Sequence, residues 1–376
     1  MLRYMTAGES HGKGLMAILE GVPAGLTLSA RDIDRDLKRR MKGYGRGKRM
    51  AIECDRADIV AGCRKGVTIG SPVGIFIKNR DFKINTLPDV FDPRPGHADL
   101  AGVMKYGFKD ARDVLERASA RETASRVASG AVAKVLLREF GIEILSHVVS
   151  VGPVSADVGK LSFQEIKERV RNFGKLNCAE PKAEKAMCRE IDKASEKGDT
   201  LGGSFEVMVS GAPPGLGSYA QWDRRIDAAF ARALMSIPAV KAVSIGRGME
   251  SARSMGSDVH DVITYNRAGK CFGRSSNNAG GVEGGVTNGQ TIMVTGFMKP
   301  IATLMSPLAT VNMKSKRKSG ASRERSDTCA VAACGVVAEA VVAIEIASAF
   351  LEKFGSDSVE EIRRNHKAYL EAVKNI

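Results

Sequence analysis

From Cys329 to Phe354 the chain runs almost without polar interruption, and Gly355 follows as a stop signal. A stretch of this length and character reads as a helix, and a helix apolar around most of its circumference has to be surrounded by protein. Glu339 and Glu345 interrupt the run between Ala330 and Phe350, which argues against a membrane span. The opening MLRYMTAGESHG lacks the apolar core of a secretory signal, so neither secretion nor membrane insertion is expected. With 376 residues, 43% of them hydrophobic, the chain is long enough to build the core such a helix needs.

Other elements follow from capping chemistry and apolar period. Ser29 with Asp32, Ser162 with Glu165, and Ser358 with Glu361 each have the spacing of a capping box at a helix start. A long helix is predicted from about Ala118 to Phe140, stopped by Gly141, with Val127, Ala131, Val135 and Leu136 as its apolar stripe. Another is predicted from Asp223 to about Ile237, where Pro238 ends it. Strands are predicted at Leu15 to Val22, Pro72 to Lys78, Ile142 to Val151, Ser204 to Ser210, Val240 to Ile245 and Thr291 to Met298. Helices and strands interleave with no linker, tail or repeat between them, so one large α+β domain over residues 1–376 is expected. The segments from Asn79 to Pro95 and from Val311 to Glu324 have no usable period and read as mobile loops.

The seven cysteines include no C-x-x-C and have no histidines at ligand spacing, so they read as reduced thiols of a cytoplasmic protein without a metal site. The net charge is +14, and 40 glycines in 376 residues exceed the usual share of about 7%. Those glycines crowd around basic residues, which brings backbone close to something anionic.

Five segments carry this pattern. In Gly8-Glu9-Ser10-His11-Gly12, glycine flanks favour an exposed imidazole able to exchange protons, although a lone histidine is more often structural. Lys13 completes G-x-x-x-G-K, one residue short of a P-loop and without its Ser/Thr, so a nucleoside triphosphate site is rejected. Residues 39–49 hold six cations and no acid among three alternating glycines. A solvated charge run would not need those glycines; a shaped loop of arginine forks that clasps carboxylates or phosphates would. Arg94-Pro95-Gly96-His97-Ala98-Asp99 sets a second histidine in a turn, and Glu116 to Ala124 places small residues at the start of the long helix, where free N–H groups suit an anion. Last come Asn277 to Gly285, Lys299 to Thr303, and Arg325-Ser326-Asp327, with Asp327 placed to be an N-cap of the apolar helix. A nucleic-acid surface would interleave stacking aromatics with the cations, and the 39–49 run offers only Tyr44, the 314–325 run none. These residues describe an enzyme for a multiply anionic small substrate, with a phosphate-bearing cofactor.

The strings GESHG (8–12), GYGRGKRM (43–50), RPGHAD (94–99), ERASARETA (116–124), NNAGGVEGG (277–285) and RSDTCAV (325–331) resemble, in order and over nearly the whole length, those of the chorismate synthase family. The resemblance implies a β-α-β sandwich of helices and antiparallel sheets, assembled as a homotetramer. It implies an anti-1,4-elimination of phosphate from 5-enolpyruvylshikimate 3-phosphate to give chorismate, dependent on reduced FMN without net redox change. By the same resemblance His11 protonates the leaving phosphate, His97 serves the reduced flavin, and Asp327 acts where the substrate proton is removed. Arg40, Arg46, Arg49, Arg94 and Arg121 match substrate arginines, Arg40 and Arg46 being linked to NADP(H) in parts of the family, whose members in some cases reduce their own FMN with NADPH. Flavin contacts fall on Arg117, Ala118, Ser119, Ala239, Gly284, Lys299, Pro300, Ile301, Ala302, Thr303 and Arg325. Asp327 thereby moves from N-cap to catalytic candidate. No nucleic acid, membrane or metal partner is implied. The chain departs from many relatives in having Pro238-Ala239 where they have Asn-Ala, and in a short loop before RPGHAD.

Overall fold

The computed structural model describes residues 2–47, 54–159, 161–324 and 326–376, and within them two antiparallel sheets enclose a layer of helices. The first sheet is built from β1 (Arg3–Ala7), β2 (Gly14–Glu20), β3 (Ala57–Ala61) and β4 (Val73–Lys78) in the order β1-β2-β4-β3. The second contains β5 (Glu143–Val151), β6 (Val154–Ser155), β7 (Gly203–Ser210), β8 (Val240–Ile245) and β9 (Ile292–Met298) in the order β8-β9-β7-β5-β6. Among the described residues the α-helices of more than one turn are α1 (Ala30–Met41), α2 (Asp99–Tyr106), α3 (Arg112–Ala118), α4 (Thr123–Arg138), α5 (Phe163–Val170), α6 (Pro181–Glu196), α7 (Ile226–Met235), α8 (Val331–Phe354) and α9 (Val359–Val373).

Strand alternation gives each sheet one inner face. Leu15, Ala17 and Leu19 of β2 point inward while Met16, Ile18 and Glu20 face out, the period of two expected of a half-covered sheet. Helix α4 packs on β2 and β4, α8 packs on β5 and β7, and α4 and α8 pack on each other, giving the β-α-β sandwich. They approach closely because Gly130 has no side chain: a Cβ there would lie 2.4 Å from Ala340 Cα. Helix α8 is the long apolar run of the sequence, and it lies at the centre of the protein, with Ala338, Val342, Ala343 and Ile346 fully buried.

Glu339 makes this packing specific. It is fully buried, and its carboxylate accepts from Arg39 Nη1 and Nη2 (2.6 and 2.5 Å), Lys134 Nζ (2.7 Å), and the Ser146 N–H and hydroxyl (2.8 and 2.7 Å). Lys134 also donates to Asp36 (2.8 Å), so one ionic network ties α1, α4, α8 and β5 together. Burial alone would raise the Glu339 carboxyl, but the adjacent Arg39 and Lys134 charges reverse this and hold it at about 2.

Helix starts follow the capping residues: the Ser162 hydroxyl accepts from Glu165 N–H while Glu165 accepts back, the Ser29 N–H donates to Asp32, and Ser358 accepts from Glu361 N–H. Three expectations are corrected. The helix predicted from Ala118 begins at Thr123, because Ser119 is extended and its hydroxyl accepts from Arg121 N–H, leaving a 3₁₀ turn over Ala120–Glu122. Likewise Trp222–Arg224 is a 3₁₀ turn ahead of α7. The two segments read as mobile loops are fastened to each other: strands Ala309–Val311 and Lys318–Gly320 form a hairpin whose Asn312 and Ser319 side chains donate to Asp92 (2.9 and 2.7 Å).

Candidate active site

Beside the helix layer lies a cavity of about 510 Å³, within the usual range for small-molecule sites. It is lined by residues from eight stretches of the sequence: the β1–β2 turn, the end of α1 and the loop after it, the segment after β4, the turn into α2, the α3–α4 break, Pro238 with Ala239, the stretch from Met298 to Thr303, and Glu324, Ser326, Asp327 and Ala330. Arg40, Arg46, Lys83, Arg94, Arg121 and Lys299 contribute cations, against the acids Asp81, Glu116, Glu324 and Asp327.

Both motif histidines reach this cavity, and each is held by a carboxylate. His11 Nδ1 lies 2.9 Å from Glu116 Oε1, and its Nε2 lies 3.7 Å from Asp81. His97 Nδ1 lies 2.5 Å from Asp99 Oδ1, and Asp99 is in turn gripped by Arg94 through Nε (2.8 Å) and Nη2 (3.0 Å). Burial opposes ionisation of Asp99, but the hydrogen bond to His97 and the Arg94 guanidinium hold its carboxyl far below the usual range. Arg94 Nη1 donates to Thr303 (2.6 Å), joining this turn to the stretch after β9.

The glycines of GESHG do something other than expose the ring. His11 has only 13% of its side chain exposed. Gly8, at φ +108°, allows the β1–β2 turn to close, since a Cβ there would fall 2.3 Å from Gly14 O. Asn79, itself buried, donates to Glu9 O and Gly12 O (3.1 and 2.9 Å) and fixes the turn from the other side.

The basic glycine loop is shaped, and its shape joins it to Asp327. Gly45, at φ +81°, accepts from Thr328 N–H (2.8 Å), and Gly47 N–H donates to Asp327 Oδ1 (2.6 Å). A Cβ on Gly47 would meet Ser326 O at 2.7 Å. Arg46 Nε lies 3.3 Å from Asp327 Oδ2. Asp327 is therefore no N-cap: α8 begins at Val331 with Ala330 before it.

Arg40 is the most telling cation. It is buried, donates through Nε to Thr123 (2.9 Å) and through Nη2 to Ala120 O (2.9 Å), and has its Nη1 3.5 Å from Asp55. Among the described residues that Nη1 has no hydrogen-bond partner. Burial, with Arg121 and Arg46 nearby, pulls this guanidinium down to about 10 despite Asp55, so an anion entering the cavity stabilises it. Arg121 is held by Asp55 (2.7 and 2.8 Å) and Asn79 (2.8 and 3.0 Å).

Apolar lining comes from Leu115, Ala118, Pro238, Ala239, Met298, Ile301 and Ala302. Ala239 takes φ +71°, rare for a residue with a side chain, and its carbonyl accepts from Lys299 N–H (2.9 Å). A cavity with cationic side chains on some sides and apolar ones on others suits a flat ring carrying a phosphate.

The family profile described as chorismate synthase matches residues 2–351. Chorismate synthase of Desulforudis audaxviator is 54% identical over all of this chain and 98% of its own length, and that of Pelobacter propionicus is 53% identical over the whole of both. A solved structure, described as a crystal structure of chorismate synthase, superposes with a TM-score of 0.84 at 44% identity, covering all of this chain and 99% of that one. The chain belongs to the chorismate synthase family. It is accordingly a lyase of the shikimate pathway, in a family that works with a flavin.

Of the residues drawn from that resemblance, His11, His97, Asp327, Arg40, Arg46, Arg94, Arg121, Ala118, Ser119, Ala239, Lys299, Ile301, Ala302 and Thr303 line the one cavity. Arg49 and Arg325 lie outside the described residues. Three others are placed differently. Arg117 donates to Gly8 O (2.9 Å) and Thr6 (3.0 Å), bracing the β1–β2 turn; Gly284 sits in a hairpin where its carbonyl accepts from Arg225; Pro300 is not among the lining residues. Residue-by-residue reading passed over Asp81 and Lys83, which lie in a segment without period, and gave no role to Asp55, Asn79, Asp99 or Glu116. Asp99 and Glu116 stood inside quoted motifs, but nothing in a string shows which histidine a carboxylate will meet.

Proposed function

We propose that this protein carries out the anti-1,4-elimination of phosphate from 5-enolpyruvylshikimate 3-phosphate, giving chorismate, with reduced FMN as the flavin. The observation that carries the reading is Arg40 Nη1, a buried guanidinium donor without a hydrogen-bond partner among the described residues, in a cavity that also holds Arg46, Arg94, Arg121 and Lys83. A substrate with two carboxylates and a phosphate supplies the acceptor that Arg40 Nη1 lacks and the negative charge that the surrounding cations attract.

The donor set also fits the flavin. Ala118, Ser119, Ala239, Lys299 and residues 301–303 would hold it, the apolar members against the ring and Lys299 against its phosphate. Reduced FMN, when bound, supplies an electron-rich ring against which the phosphate ester can leave, with no net change in oxidation state. His11, protonated at Nε2, gives its proton to the departing phosphate oxygen as the C–O bond breaks. Asp327 takes up the proton lost from the substrate carbon, and the Gly47 N–H and Arg46 hold its carboxylate in place for that. His97, oriented by Asp99, holds a proton against the edge of the flavin.

We also place the protein in the cytoplasm, supported by seven cysteines that are all free thiols, and read it as a homotetramer. Met5, Met16, Ile18 and Val60 support self-association, lying exposed on the outer face of the first sheet. The deciding experiment is anaerobic turnover of the substrate with chemically reduced FMN, followed by chorismate absorbance, then a repeat with NADPH and oxidised FMN. Chorismate in the first assay is expected; none from folded, FMN-binding protein overturns the reading. Product in the second assay as well would add an intrinsic flavin reductase.

A further inference from the structure

His11 is held by a group to which no motif reading gave a task. Glu116, in the last turn of α3, is 2% exposed and faces His11 three times: Oε1 and Oε2 lie 2.9 and 3.2 Å from Nδ1, and Oε2 accepts the His11 backbone N–H at 2.7 Å. The Ser10 N–H donates to Glu116 O (2.9 Å), so backbone and side chain of one helical residue together clamp the β1–β2 turn across 105 positions of sequence.

Glu116 is itself fixed. Arg112 Nη1 lies 3.7 Å from its Oε1 and 3.2 Å from Glu324 Oε1, while Arg112 Nε donates to Pro88 O (2.9 Å). Burial works against a charge on Glu116, but the hydrogen bonds from His11 and the Arg112 guanidinium outweigh it and hold the carboxyl below its ordinary range. An ionised carboxylate can only accept hydrogen bonds. The hydrogen between the two side chains therefore belongs to Nδ1. On the other edge of the ring stand Asp81, 3.7 Å from Nε2, and Lys83, paired with Asp81 at 2.9 Å.

We infer that Glu116 is a positioning residue that fixes the Nδ1–H tautomer and the ring orientation of His11, leaving Nε2 as the nitrogen that exchanges protons with whatever occupies the cavity. The inference rests on the reading of His11 as an acid–base group, and it deepens that reading by naming what selects the reacting nitrogen. Asp99 stands toward His97 as Glu116 stands toward His11, but Glu116 reaches its histidine from another element, so its loss frees the ring without altering the ring's own turn.

The test is ¹⁵N NMR of protein labelled at histidine, without substrate or flavin, with the His11 signals assigned by a His11→Gln variant. The wild-type ring is expected as Nδ1–H when neutral. Glu116→Ala is expected to move it toward Nε2–H and to lower kcat about 10²-fold with a smaller change in KM. Glu116→Gln keeps an acceptor on Nδ1, and is expected to keep the tautomer and more of the turnover. A wild-type His11 in the Nε2–H form, or a Glu116→Ala protein with unchanged tautomer and kcat, overturns the inference. Should Glu116→Ala fail to fold, the wild-type tautomer and the Gln variant still decide it. The tautomer is read without turnover, so a protein that shows it but makes no chorismate counts against the proposed reaction alone.

Discussion

Arg39 and Arg40 are neighbours on α1, and the protein treats them in opposite ways. Arg39 turns into the helix layer and meets Glu339 with both terminal nitrogens. Arg40 turns into the cavity, where two of its nitrogens are bonded and the third, though buried, has no hydrogen-bond partner among the described residues. The first cation belongs to a network satisfied from within, and the second to a set completed by a ligand. Buried charge by itself says little about function; what separates a structural cation from a binding one is whether the fold finishes its hydrogen bonds.

The comparison breaks most visibly through its structural half. Replacing Glu339 by Ala leaves Arg39 and Lys134 without their shared acceptor, which should cost about 3–5 kcal/mol in chemical denaturation while activity per folded molecule stays within about twofold. Loss of activity without loss of stability would show that the core network belongs to the site after all. The binding half is tested by Arg40→Met, expected to lower kcat/KM about 10- to 10²-fold, since a hydrogen bond to a charged group contributes about 1.5–3 kcal/mol. Its unfolding midpoint should stay near that of the wild type, and a collapse there would make Arg40 structural.

A smaller effect sharpens the same contrast through pH. Glu339 is held at about 2 in the folded protein, against about 4.3 in an unfolded chain. Its folded value is the lower one, so its contribution is complete above about pH 4.3 and is lost as pH falls toward 2. Denaturation midpoints measured across that window should decline, and in Glu339→Gln part of the decline should vanish. An unchanged slope would mean that the acid sensitivity lies elsewhere, with Asp36 and Asp99 as the next carboxylates to test.

Much of the sandwich was legible because its signals are local. Serines three residues before an acid marked helix starts, and alternation marked β2, β4 and β9. The break at Ser119 was not legible, because a serine hydroxyl bonding ahead to Arg121 looks in sequence like one more small residue in a helical run. The predicted four-residue stripe on α4 undercounts its buried surface: Ala124, Ala128 and Val132 are buried as well, since sheet and helix cover α4 on different sides. In the site, glycines and arginines were visible because loop shape and charge leave compositional traces. Their partners were not. Glu116, Asp55 and Asn79 act on residues 105, 66 and 42 positions away, and only the folded chain brings such pairs together.

The bond between Gly47 and Asp327 spans 280 positions. During synthesis at about 5–20 residues per second, the glycine loop waits roughly 15–60 s for the segment that completes its cavity. Through that interval α4, and β5 and β7 once they are made, have no α8 to pack against, and Arg46 has no Asp327 beside it. The cavity is thus incomplete until synthesis passes Ala330, its most C-terminal lining residue.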